Sequence, residues 1–142
     1  MISLTHFHPM LVHFPIALVV VGFVADFASL VFKKEACLSK AGFYMLILGT
    51  LSALLAVLTG VFLTSAMSGT AGEVKNTHAL FAFITLGLVT LTALIRIFIL
   101  VQHKENTNLK WVAFALYALA VLAVSVTGFY GGTLVYNFMM PL

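Results

Sequence analysis

Charge is what this sequence lacks most. Only 8% of its 142 residues are Asp, Glu, Lys or Arg, where a soluble globular domain carries roughly a quarter. A chain so poor in charge cannot clothe a water-facing surface. With 63% hydrophobic residues and a mean hydropathy of +1.17, it reads as an integral membrane protein. Acidic residues are scarcest, four against seven Lys and Arg, for a net charge of +3. That surplus does not imply nucleic acid as a partner, because the lysines flank apolar runs and act there as topology signals. The one cysteine, Cys37, excludes an intrachain disulfide. Ser, Asp and Cys are too sparse to build a nucleophile and its base, so no hydrolytic site is visible. The N-terminus lacks a basic n-region and the first apolar run is too long for an h-region, so no cleavable signal peptide is expected.

What is present is four apolar runs, near residues 10–32, 41–67, 78–101 and 111–136. Each exceeds the ~20 residues a helix needs to cross the hydrocarbon core. The expectation is an all-α, four-helix transmembrane bundle forming a single domain over residues 1–142. Glycines between 68 and 77 mark a loop, with Asn76 or Thr77 as N-cap of the third helix. Lys33, Lys34, Lys40, Lys104 and Lys110 lie in the first and third loops, and only Lys75 in the second. The positive-inside rule then puts both termini outside the cytoplasm.

The first run opens with Thr5-His6-Phe7-His8-Pro9-Met10-Leu11-Val12-His13-Phe14-Pro15. Imidazole beside hydrocarbon is costly, so polar groups there usually serve a site. His13-x3-Ala17-x4-Gly22 in the first run recurs as His78-x3-Ala82-x4-Gly87 in the third. Gly60 and Gly128 sit at comparable places in the second and fourth. This reads as two repeated helix hairpins, which would set His13 and His78 at equal depth across a two-fold axis. Small residues Gly49, Ala53, Ala56, Gly60, Thr64 and Met67 form a seam for close helix packing. His78, Ala82, Thr85, Val89, Thr92 and Arg96 form one stripe of the third helix, expected to face inward.

Such a histidine pair has two readings. Each ring could merely bond a backbone carbonyl at a helix interface. Alternatively, His13 and His78 ligate the iron of a b-type haem, with Gly22, Gly60, Gly87 and Gly128 clearing space for the porphyrin. His8 is the alternative ligand. Lys75, His6 or the N-terminal amine could pair with the propionates. A copper or zinc site drawing on His6, His8, His13, Met10, Met67, Met139 and Met140 is a competing expectation with a weaker pattern. Asp26 and Arg96 are the charges set well inside the apolar runs, and are expected to form a structural ion pair.

His8-Pro9-Met10-Leu11-Val12-His13-Phe14-Pro15-Ile16-Ala17-Leu18, His78 and Gly131-Gly132-x-Leu134-Val135-Tyr136 resemble the bacterial membrane family called domain of unknown function 2231. The resemblance extends over almost the whole chain. Relatives carry this domain fused to c-type cytochrome or Rieske iron–sulfur domains, which implies an electron-transfer setting. Two positions depart from the family pattern. Val61 to Ser65 contain no acidic residue, and Tyr136-Asn137-Phe138-Met139 lacks the family's closing histidine. The reading is therefore a cytochrome b-like membrane protein carrying haem b, passing single electrons between a quinol or redox protein and an acceptor near the outer face. A cofactor-free structural subunit of a membrane complex is the alternative of a different class. Membrane lipid is the expected surrounding, and homo-oligomerisation is left open.

Overall fold

The computed structural model describes residues 7–32, 35–103 and 108–138. Five helices follow in order: α1 (Phe7–Leu11), α2 (His13–Val31), α3 (Ala36–Leu63), α4 (Gly69–Val101) and α5 (Asn108–Phe138). Among the described residues there is no strand. The interruption between α1 and α2 has a local cause. Pro15 has no N–H to offer the Leu11 carbonyl, and the following bond, Ile16 N–H to Val12 O, is stretched to 3.5 Å. Val12 itself keeps helical angles, φ −61° and ψ −22°, so α1 and α2 act as one span of 25 residues, Phe7–Val31. With α3, α4 and α5 it makes four helices long and apolar enough to cross a membrane.

The helix ends differ from the sequence reading at one consequential place. α4 starts at Gly69, not near His78, and Ser68 rather than Asn76 or Thr77 is its N-cap. The glycines read as a loop instead shape a tight α3–α4 turn. Gly69 takes φ +62°, and a Cβ on Gly72 would stand 2.6 Å from the Met67 carbonyl oxygen. Beyond them Ala71, Glu73 and Lys75 favour helix. The first span likewise begins three residues before the expected Met10, which takes His8 into it.

α2 packs on α3 and α4 on α5, with lighter contacts between α3 and α4 and between α2 and α5. Val19, Leu46, Ala53, Val89, Ala93, Tyr117, Ala120 and Val124 form the buried core. With no hydrophobic drive between helices in lipid, packing relies on small residues that let backbones meet. The α3 seam does this: Gly42, Gly49, Ala53 and Ala56 are buried. A Cβ on Gly42 would lie 2.9 Å from the Gly22 carbonyl. Met67, at the far end of the expected seam, falls beyond the helix. The α4 stripe faces inward, with Thr85, Val89 and Thr92 buried.

Burial recurs along the chain, in a register other than the one read from the motif. His13 and His78 are 65 residues apart, yet at that spacing Gly22 is buried while Gly87 is exposed. At a spacing of 70, residues 11–20 and 81–90 have the same degree of burial position by position. Gly42, Leu46, Gly49 and Ala53 of α3 recur 71 residues on as Ala113, Tyr117, Ala120 and Val124 of α5, all buried.

Candidate functional site

At the end of the bundle where α2 begins and α3 ends, a largely apolar cavity of about 460 Å3 opens among all four spans. Two imidazoles meet on its wall. His8 and His78 have ring centroids 6.2 Å apart and planes at 86°. His8 Nδ1 lies 3.0 Å from the Ala56 carbonyl oxygen of α3, and His78 Nδ1 lies 2.9 Å from that of Thr127 in α5. A carbonyl only accepts, so Nδ1 carries the proton in both rings and donates it. Each Nε2 is thereby left as a lone-pair donor. The rings thus do form the interface hydrogen bond of the plainer reading, and it engages one nitrogen of each.

The supports of the two rings match. A Cβ on Gly60, one turn beyond Ala56, would stand 2.9 Å from His8 Cε1. A Cβ on Gly131, one turn beyond Thr127, would stand 3.1 Å from His78 Cε1. Glycine at both places lets an imidazole lie flat against the neighbouring helix. His8 precedes Gly60 by 52 residues and His78 precedes Gly131 by 53. That near-equality is legible in the sequence and identifies the pair better than the His13 motif does.

His13 lines the same cavity but is not the ring that meets His78. It follows His8 by five residues, which on a helix turns it about 140° away, and it is exposed at the cavity's edge. The face His13 was expected to fill belongs to His8, because the helix starts early enough to include it. Of the four glycines expected around a porphyrin, Gly60 and Gly128 line the cavity. Gly22 sits deep in the α2–α3 crossing, where a Cβ would overlap the Tyr117 hydroxyl and come within 2.8 Å of Met45 Cβ. Gly87 is exposed with open space beside it. Gly131, Gly132, Ala56 and Thr127 also line the cavity, although none is among the expected site residues. Lys75 reaches its rim, donating from Nζ to the Ser65 carbonyl at 2.5 Å.

The metal alternatives have fewer donors. Among the described residues no group of three or more His, Cys, Asp or Glu could hold a metal ion. Met10 is 63% exposed and does not line the cavity, nor does Met67. His6, Met139 and Met140 lie outside the described residues, as do Lys33, Lys34 and Lys104.

Asp26 and Arg96 occupy the opposite end of the bundle. Their side chains meet at 2.6 Å between Oδ2 and Nη1, joining α2 to α4. Each lies 18 residues after a cavity histidine, Asp26 after His8 and Arg96 after His78. Eighteen residues are five helical turns and about 27 Å, so each charge falls on its histidine's face, at the far side of the bundle. The guanidinium also lies over the Phe43 ring, Cζ 5.9 Å from its centroid.

Comparison with curated proteins and with solved structures gives no match. The match comes at family level, over residues 5–140. With that match over nearly its whole length, the chain belongs to the family described as predicted membrane protein (DUF2231).

Proposed function

We infer that this protein binds a b-type haem in the cavity between its two hairpins, where His8 and His78 would hold the iron. One observation carries the reading: two imidazoles from different hairpins, 6.2 Å apart, each with Nδ1 donated to a carbonyl. Each ring keeps Nε2 as its lone-pair donor, the nitrogen that would take a metal. Nδ1 donation to a backbone carbonyl is also the usual way a metal-bound histidine is oriented. A donor set of two nitrogens suits haem, whose porphyrin supplies the other four, better than zinc, which takes three or four from protein.

Bound haem would supply reversible one-electron chemistry at iron. The chain's own residues do the rest. His8 and His78 fix orientation, Gly60 and Gly131 seat their rings, and the small residues Ala56 and Gly128 leave the cavity open. Lys75 offers a cation to an anionic edge at the rim. The recurrence of buried positions at spacings of 70 and 71 supports a duplicated hairpin, each half giving one ligand. Electron partners would be a membrane quinol or a redox protein on the histidine side.

The test is an absorption spectrum of protein expressed with ample haem and purified in detergent. Sharp visible bands on reduction are expected from a low-spin centre with two imidazoles. Colourless protein carrying chelatable copper or zinc would replace haem with that metal. Colourless protein without metal would leave a structural subunit.

The lysine distribution supports placing the histidine end outside the cytoplasm of a bacterial cell, across the plasma membrane. Cys37 is exposed near the start of α3, at the opposite end. A membrane-impermeant thiol reagent should leave it unlabelled in intact cells and label it once the membrane is opened. Ready labelling in sealed cells would invert the orientation.

A further inference from the structure

The two histidines are held alike but not equally. His8 Nδ1 has a second partner, the Thr59 hydroxyl oxygen at 3.1 Å, besides the Ala56 carbonyl. Thr59 Oγ1 gives its single hydrogen back along the helix, toward the Leu55 and Ala56 carbonyls, each 3.0 Å away. This back-bonding turns an oxygen lone pair toward the ring. The His8 N–H is therefore shared between two acceptors.

Among the described residues His78 has no such partner. The position equivalent to Thr59, 71 residues later, is Tyr130, whose ring stacks on Phe81 with centroids 6.4 Å apart. Thr127 gives His78 its carbonyl alone; its own hydroxyl donates to the Ala123 carbonyl at 2.9 Å and lies 3.4 Å from that of Thr85. Thr59 also stands off the cavity wall, touching His8 from the Nδ1 side. It thus acts on the ring without acting on whatever fills the cavity.

We propose that Thr59 is a positioning residue for His8, whose hydroxyl makes this imidazole the more electron-rich and more firmly oriented of the two. The proposal rests on reading His8 and His78 as the axial pair. Acceptors on Nδ1–H increase the basicity of the opposite nitrogen. A more basic Nε2 favours the oxidised, more positively charged iron, so the Thr59 bond lowers the reduction potential. Removing it raises the potential, and a serine hydroxyl replaces it.

Thr59→Val keeps the shape and removes the oxygen, and Thr59→Ser keeps the oxygen. Two measurements test the pair. In haem-free protein labelled with 15N-histidine, the Nδ1–H resonance of His8, assigned through His8→Ala, should lie further downfield than that of His78. It should move upfield in Thr59→Val and stay in place in Thr59→Ser. In haem-loaded protein, Thr59→Val should titrate at a higher midpoint potential with its absorption bands retained, and Thr59→Ser should match the parent. An unmoved His8 resonance in Thr59→Val overturns the proposal, and so does an unmoved potential in haem-loaded protein. If no form of the protein takes up haem, the axial-ligand reading has failed, and the resonance still decides whether Thr59 holds His8.

Discussion

His8→Ala and His78→Ala are each expected to abolish the low-spin haem spectrum, while His13→Ala retains it. Both imidazoles would be needed to hold the iron, and without either the site would be weak or high-spin. His8 and His78 are the rings whose Nδ1 atoms are tied to α3 and α5 and whose centroids stand 6.2 Å apart. His13 is on the same span, exposed, and about 140° around the helix from His8. The glycines behind the rings should matter through shape. A leucine at Gly60 or Gly131 puts a branched side chain where an imidazole now lies within 2.9–3.1 Å of a single added carbon. Gly60→Leu and Gly131→Leu should therefore lose haem with both histidines intact, whereas Gly87→Leu, pointing into open space, should keep it. Loss of the spectrum in His13→Ala together with its survival in His8→Ala would return the ligand role to His13.

Arg96→Leu is expected to destabilise the bundle by about 3–5 kcal/mol, because it strands the Asp26 carboxylate among apolar helices. The two side chains are 16% and 12% exposed and meet at 2.6 Å, so water does little to screen them. Asp26→Leu should cost a similar amount by stranding the guanidinium. The double change to leucine should recover most of the loss, since a buried ion pair replaced by apolar residues is often close to neutral. Thermal unfolding in a fixed detergent, followed by loss of helical signal, reads all four proteins. If the two single effects simply add in the double variant, Asp26 and Arg96 are not coupled. The pair lies some five helical turns from the histidines, so Arg96→Leu should leave the haem bands of the surviving folded fraction where they were.

Much of the architecture was legible in the residues because lipid imposes one-dimensional rules. A chain with 8% charge and four long apolar runs has few options, since a backbone in hydrocarbon must satisfy its own hydrogen bonds as helix. Periodicity also held over long distances. The α4 stripe from His78 to Arg96 and the small-residue seam of α3 both face inward, because five helical turns accumulate little error when the helix is regular. The pairing of Asp26 with Arg96 follows from the same scarcity: two charges set deep in apolar helices have few other partners.

Which imidazoles meet in the cavity was decided elsewhere. His8 and His13 are both in the opening motif, and composition cannot say which faces inward. That depends on where the helix starts and how it is rotated. The helices start three residues before the expected Met10 and nine before the expected His78, although Pro9 and the glycines between 68 and 77 look like loop punctuation. In the fold the glycines serve a tight turn, Gly69 at φ +62° and Gly72 against the Met67 carbonyl. Rotation of the first span is set by contacts distant in sequence: Gly22 against Gly42, Val19 against Gly49, and His8 against Gly60. Those contacts turn His8 to the cavity and His13 to its edge. The amino-acid sequence alone determined a four-span membrane bundle whose third span turns its stripe from His78 to Arg96 inward. The tertiary structure decided which imidazoles meet, because helix rotation is fixed by packing between spans and not by the pattern within any one of them.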